Sequence, residues 1–472
     1  MPLVNHVRGE QVPDAMLNVR TPIVRIPLWM VVLWWTVKGV ARVVGAYVRF
    51  WYVTVPATVL GWLYLRYGWL GPTIALAAPT ILCGLWAWLH RSSFLRLAWF
   101  PALGRYRSWW YRRLWHPAMA TAHLAVTFDR HTVLPVLRRV RCRAGVDELL
   151  VRMVTGQIPD DYAKVAERLT HTFAARSVKA IPGARVGLVV LMVLRGDPLG
   201  AVVTALAVPA LPDFAGLPVG RREDGLTYRL RLTGTQILIV GATGSGKGSV
   251  IWSTVRALAS GIRSGLVQVW AIDPKGGMEL GGGSRLFARF GYRDFAAMAA
   301  MLEEAVTLAQ KRADRLRTVT RQHEPTVGDP LIVIVIDELA SVTAYLTDRH
   351  TKDRIRAALS LLLSQGRAVG VHVVAALQDP RKEVLPFRDL FPTRIGLRLS
   401  EAAQVDLVLG DGARDRGALC DRIPQSTPGV GYVVLDGDPT PMRVRFGHVT
   451  DDDITDMAAE YDPLRVIEGQ LA

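Results

Sequence analysis

The stretch TQILIVGATGSGKGSVIWSTVRALAS, residues 235–260, decides how this chain is read. Its first six residues are mostly aliphatic and read as a buried strand. Gly241, Ala242, Thr243, Gly244, Ser245, Gly246, Lys247 and Gly248 follow at once, and residues 249–260 read as a helix. Strand, glycine loop and helix in that order are the setting in which GxxxxGK cradles phosphate. The glycines let backbone N–H groups wrap the phosphates, and the helix N-terminus adds its positive end. Lys247 is placed to reach the β and γ phosphates. One position departs from the pattern. The residue after the lysine is usually Ser or Thr, whose hydroxyl ligates Mg²⁺, and here it is Gly248. Ser249, one residue on, is the candidate replacement. Otherwise water fills that position, which Mg²⁺ tolerates because it keeps several waters.

Working outward, residues 331–336 (LIVIVI) read as a central parallel strand that ends at Asp337 and Glu338. Asp337 is expected to hold Mg²⁺, directly or through water, and Glu338 to polarise the attacking water as general base. Residues 267–272, 371–377 and 394–399 read as further strands of the same sheet, and residues 295 to about 321 as a long helix. Met298, Met301, Leu302, Ala305, Ala309 and Leu316 form the apolar stripe of that helix. Gln378 falls at a strand end beside the carboxylates. It is a candidate to sense the γ-phosphate or position water, or else simply caps its strand.

Charge separates the two halves. Residues 1–250 hold 30 Lys/Arg against 12 Asp/Glu, and residues 251–472 hold 27 against 29, within a net charge of +16. Half the residues are apolar, which excludes a disordered chain. Cys83, Cys142 and Cys420 are too scattered for a disulfide framework or a cysteine zinc site. Mean hydropathy is +0.22, high for a soluble enzyme, and two apolar runs account for it: residues 50–65 (FWYVTVPATVLGWLYL) and 69–89 (WLGPTIALAAPTILCGLWAWL). A span needs about 20 apolar residues. The second run meets that length, and the first needs help from upstream. Aromatic residues crowd the run ends and Lys/Arg flank both sides, so a transmembrane hairpin over 48–90 is expected, with both flanks cytoplasmic. The chain is then a multi-pass protein of the cell membrane. Residues 1–47 would be cytoplasmic or interfacial, with residues 26–36 lying in the interface. The basic, aromatic bridge 91–130 is expected to rest on anionic inner-membrane lipid over 96–115 in preference to DNA.

Residues 131–210 read as a small α+β domain in the order β-β-α-β, with nothing catalytic in it. Pro209, Pro212, Gly216, Pro218 and Gly220 read as a linker.

The motifs ILIVGATGSGKGSV, AIDPKGGMEL, IVIVIDELA, QGRAVGVHVVAALQDP and FPTRIGLRLS run in the order found in the FtsK/SpoIIIE family of DNA translocases, which residues 217–446 resemble. The GKG variant resembles the transfer proteins of actinomycete conjugative plasmids and integrative elements. The resemblance implies a RecA-like P-loop ATPase motor with a parallel central sheet, using ATP and Mg²⁺. It also implies a homo-hexamer that moves double-stranded DNA, in conjugative transfer or chromosome segregation, with other transfer or cell-envelope proteins as partners. Arg367, before Ala368-Val-Gly-Val-His372, takes the place of the family's trans-acting arginine finger, the alternative being a surface arginine. Lys275 would face phosphate or DNA. The acidic tail 447–472 that follows the motor has only about 25 residues, fewer than the winged helix of polarity-reading relatives needs. A secretion-type ATPase of the same superfamily is the alternative function.

Overall fold

The computed structural model describes residues 28–128, 131–142, 145–381 and 387–463. It divides after Pro101 into two compact units.

The first unit holds α1 (Leu28–Arg49), α2 (Trp51–Tyr67) and α3 (Leu70–Leu89). Neither α2 nor α3 buries a residue. Only α3, among the described residues, is long and apolar enough by itself to cross a bilayer. The 17-residue α2 carries Pro56 and qualifies only together with α1, from which it is bent by 96°. By length and composition the described residues thus offer one candidate span, or two if the bent pair counts as one, and the break at Phe50 falls where the first apolar run was expected to draw on upstream residues. The short interfacial stretch becomes part of the 22-residue α1. Residues 1–27 of the expected N-terminal segment lie outside the described residues.

The second unit opens with α4 (Phe100–Thr121). Tyr111, Trp115, Ala118 and Met119 of α4 are buried in the core of the small domain. Trp115 stacks on Phe173 and donates Nε1–H to the Pro135 carbonyl at 2.7 Å. Part of the bridge assigned to lipid is therefore protein core. Its aromatics look alike in sequence, and helical periodicity turns only some of them inward. Val126–Phe128 (β1) and His131–Val133 (β2) pair antiparallel. The domain's main sheet has four antiparallel strands: β3 (Val136–Cys142), β4 (Val146–Arg152), β5 (Ser177–Pro182) and β6 (Leu188–Leu194), in the order β3-β4-β6-β5. The expected single helix is two, α5 (Pro159–Lys164) and α6 (Ala166–Thr172), broken at Val165, and β5 was not expected. Buried Asp147 ties α4 to this sheet, accepting from Tyr111 Oη at 2.8 Å, Arg107 Nη1 at 3.1 Å and Arg195 Nε at 2.9 Å.

The rest of the second unit is built on a ten-stranded sheet. Its strands are β7 (Leu217–Arg222), β8 (Thr227–Leu230), β9 (Ile237–Val240), β10 (Val267–Ile272), β11 (Phe287–Gly291), β12 (Leu331–Ile336), β13 (Val371–Leu377), β14 (Thr393–Gly396), β15 (Val430–Leu435) and β16 (Asp438–Phe446). From β11 through β10, β12, β13 and β9 to β14 all neighbours are parallel. From β14 onward β15, β16, β7 and β8 add antiparallel. The sheet is thus mixed, not parallel throughout. The supposed linker supplies β7, and Pro218, which has no N–H to give a ladder, sits at a register shift against β8. Alternate residues of β12 feed opposite faces. Leu331, Val333 and Val335 pack with α7 (Lys247–Arg263), while Ile332, Ile334 and Ile336 pack with α8 (Phe295–Leu316) and α9 (Arg349–Gln365). All six are buried. Each contributes about 1.5–3 kcal/mol by leaving water. The α8 helix stops short of residue 321 because Arg317 turns extended and Thr318 takes a φ of 69°. The acidic tail begins with a helix, α10 (Asp451–Glu460), whose Ile454, Met457 and Ala458 join the α7-side core. Residues 464–472 of that tail lie outside the described residues.

Candidate nucleotide-binding site

The strands β9, β12 and β13 run parallel, so their C-terminal ends fall together at one edge of the sheet. The glycine loop leaves β9 there and turns into α7. Gly246 has a φ of 95°, and a Cβ on it would lie 2.3 Å from Gly429 N. Only glycine lets the loop approach the turn before β15, where Gly429 N donates to the Ser245 carbonyl at 2.9 Å. Lys247 begins α7 and donates Nζ–H to the Gly241 carbonyl at 2.8 Å. Burial pulls its ammonium below the usual lysine range, with Lys275 adding to the shift. Glu338, Asp337 and Glu279 oppose it.

Asp337 and Glu338 leave β12 at the same edge, both buried. Lys275, on the loop after β10, places Nζ 2.8 Å from Asp337 Oδ2 and 3.8 Å from Glu338 Oε2. Burial lowers the Lys275 ammonium, but the Asp337 hydrogen bond and the charges of Asp337, Glu338 and Glu279 outweigh it and hold the group above its ordinary value. Burial raises the Glu338 carboxyl, as suits a proton acceptor, while Lys275 and Lys247 pull it back. Gln378 follows β13. Its N–H donates to Glu338 Oε1 at 3.3 Å, and its Oε1 accepts from Thr243 Oγ1 at 3.4 Å. Gln378 therefore bridges the glycine loop and the carboxylate. A cleft of about 680 Å³ opens here, lined by Thr243, Lys275, Glu338, Gln378, Glu401 and Gln404 among others.

The fold thus brings together the loop 241–248, Asp337, Glu338, Gln378 and Lys275. Ser249 follows Gly248 in the first turn of α7. Its Cβ is 3.8 Å from where a Cβ on Gly429 would sit, on the side of the β15 turn. Arg367 stands in a short 3₁₀ turn before β13, at the opposite end of that strand from Gln378, exposed and lining a separate cavity with Asp389, Arg394 and Arg416. Two supporting residues carried no role in the sequence reading. Arg398 donates Nη2–H to the Thr243 carbonyl at 2.7 Å. Asp273, at the end of β10, accepts from the backbone N–H of Lys275, Glu279 and Leu280 at 3.1, 2.9 and 3.0 Å and so shapes the loop that carries Lys275. An Asp beginning a glycine-rich turn was the signal for it.

The residues fit a nucleoside triphosphate with Mg²⁺. Ser245 Oγ is buried inside the loop with no hydrogen-bond partner among the described residues, a donor free for an incoming oxygen. The carboxylate pair already faces a cation, the Lys275 ammonium, and carboxylate oxygens are the ligands Mg²⁺ takes. Among the described residues no three His, Cys, Asp or Glu are grouped to hold a metal unaided.

Residues 114–195 match the family described as actinomycete conjugal transfer protein N-terminal domain. The motor resembles the DNA translocase FtsK 2 of Ralstonia nicotianae, 25% identical over 252 residues, covering 46% of this chain and 30% of the relative. It also resembles the DNA translocase SftA of Bacillus subtilis, 28% identical over 184 residues, covering 36% of this chain and 18% of the relative. The pCW3 conjugation coupling protein TcpA, solved in a monomer form with ATPγS, is 19% identical and covers 76% of this chain and 99% of its own, with a TM-score of 0.48. The chain spans about a third of the length of the first curated relatives it matches. It therefore resembles the actinomycete conjugal transfer proteins over residues 114–195 and DNA translocases of the FtsK and SftA kind over about a third to two thirds of its length.

Proposed function

We propose that this chain is a membrane-tethered, ATP-driven translocase of double-stranded DNA acting in conjugative transfer. The observation that carries the reading is the convergence of Lys247, Asp337, Glu338 and Gln378 at one edge of the motor sheet. That motor stands in a chain whose residues 114–195 match a conjugal transfer domain.

ATP supplies the phosphoanhydride bond, and Mg²⁺ the charge that offsets its phosphates. The loop N–H groups and Lys247 bind the phosphates. Asp337 holds the cation. Glu338 accepts the proton of the attacking water, and Gln378, bonded to both Glu338 and Thr243, keeps water and γ-phosphate in register. Lys275, 2.8 Å from Asp337, would share that carboxylate with a bound cation. Arg367 stands at the opposite end of β13 from the glycine loop, so its role in hydrolysis is toward a neighbour's nucleotide, which calls for a ring, taken here as a homo-hexamer. Helices α1–α3 anchor the chain in the cell membrane, with the motor in the cytoplasm. Protease access to tags after residues 30 and 110 distinguishes two crossings (same side) from one (opposite sides).

The decisive experiment measures ATP hydrolysis by the full chain in detergent with long duplex DNA, single strands or none. Duplex is expected to stimulate most, and the stimulation should fade as salt rises, because each neutralised phosphate releases counterions. No response to duplex at low salt would overturn the reading in favour of an ATPase that drives a protein substrate.

A further inference from the structure

The nucleotide loop lacks the hydroxyl that its motif normally offers to the cation, and the fold places another oxygen beside the gap. Gly248 has an ordinary backbone conformation, so its lack of a side chain is not a demand of the turn. A Cβ built on it lies 3.7 Å from Glu279 Oε2, the only atom within 4 Å of it outside the neighbouring residues and the helix's own backbone.

Glu279 is held there from two sides. Its N–H donates to Asp273 Oδ2 at 2.9 Å, and its carbonyl accepts from Trp252 Nε1 at 3.2 Å. Trp252 lies four residues after Gly248, hence on the same face of α7. Both ends of the nucleotide site, β10 and α7, thus fix the Glu279 backbone. Its carboxylate has no hydrogen bond or ion pair among the described residues, whereas Asp337 and Glu338 are engaged by Lys275. Its charge still acts on both Lys247 and Lys275, which puts it in the field of the site.

We propose that Glu279 supplies the Mg²⁺ contact that the motif's usual Ser or Thr would make, reaching from the β10 loop into the space that Gly248 leaves open. The inference rests on the nucleotide-site reading above. A carboxylate is a stronger ligand for Mg²⁺ than a hydroxyl. A serine at 248 together with Glu279 would put two oxygens where one is needed.

The test is cation binding, not turnover. The full chain in detergent is titrated with Mn²⁺ in the presence of ATPγS and followed by electron paramagnetic resonance, and ATPγS binding is measured separately in EDTA. Glu279→Gln keeps the side-chain volume at an exposed position. It is expected to weaken Mn²⁺ binding by about 10-fold or more while leaving ATPγS binding in EDTA within about 2-fold of the parent. Adding Gly248→Ser to Glu279→Gln is expected to recover most of the lost Mn²⁺ affinity. Unchanged Mn²⁺ affinity in Glu279→Gln overturns the proposal. So does a loss that Gly248→Ser fails to restore while the double variant still binds ATPγS in EDTA. A parent chain that binds no ATPγS under any condition overturns the nucleotide-site reading itself, a different result from either of these.

Discussion

The two ends of the central strands treat buried polar groups in opposite ways. At the N-terminal end, Gln236, Thr235, His372 and Thr393 are buried and bound to one another or to backbone. Gln236 Nε2 donates to the Leu362 carbonyl at 3.1 Å, and its Oε1 accepts from Val373 N at 2.6 Å. Thr235 and Thr393 share a hydrogen bond at 2.8 Å, and His372 Nδ1 lies 2.9 Å from the Thr235 carbonyl. At the C-terminal end, Ser245 Oγ has no partner, and the Asp337 and Glu338 carboxylates are held only by a mobile class of side chain, the Lys275 ammonium, and one backbone N–H. A buried polar group without a fixed partner costs about 1–3 kcal/mol. Where Gln236, Thr235, His372 and Thr393 are met by fixed partners and Ser245 Oγ at the other end is not, the unmet hydroxyl marks a place where a ligand completes the bonding.

The sharpest way to break this contrast is at the open end. Lys247→Ala is expected to lower ATP hydrolysis by more than about 100-fold, because the ammonium that offsets the negative charge of the transferring phosphate is lost. Glu338→Gln, nearly isosteric, is expected to abolish hydrolysis yet retain bound ATP, since only the proton acceptor is removed. Filter binding with labelled ATP separates the two. Hydrolysis at the parental rate by either variant would end the assignment.

The open end was largely legible in the sequence, because its signals are local. The glycine loop sits between its strand and helix, and LIVIVI runs straight into Asp337 and Glu338. Gln378 was legible from its place after VHVVAAL. What escaped depends on contacts far apart in sequence. The edge strands β7, β15 and β16 are recruited by pairing, and β7 looks like linker because Pro218 and Gly220 stand in it. Phe287–Gly291 is a short edge strand next to β10, with too few aliphatics to announce itself. The aromatic run of α4 gives no hint of which rings face Phe173. Glu279 escaped because its relevance appears only once Gly248 points at it.

At the closed end, His372 makes the next test. Burial holds its pKa down at about 4, against the opposing pull of the Thr235 carbonyl. The sign follows from proton counts. Between the unfolded value of about 6.5 and the folded value, the unfolded chain binds the proton and the folded chain does not. Stability from this group is therefore complete above pH 6.5 and is lost as pH falls toward 4. The loss is about 2 kcal/mol at pH 5 relative to pH 8. His372→Gln removes the titration, so thermal melting of the full chain in detergent should fall less between pH 8 and pH 5 in the variant than in the parent. Equal slopes would show that the closed end is less sealed than its hydrogen bonds indicate.

Arg367 is the group that bears hardest on the contrast, because it is an exposed cation at the closed end. If that end serves only the fold, Arg367→Ala is silent. If it completes a neighbour's site, the closed end of one subunit belongs to the open end of the next, and the contrast is one between subunits as much as within one. Mixing resolves this. Arg367→Ala subunits keep an intact loop, and Lys247→Ala subunits keep an intact arginine. In an equal mixture about one interface in four joins an intact arginine to an intact loop, so two inactive proteins should regain up to about a quarter of parental hydrolysis. The recovery should peak near equal proportions and vanish when either variant is alone. A mixture that stays inactive, while each variant still enters rings with the parent, would remove Arg367 from the chemistry and leave the closed end purely structural.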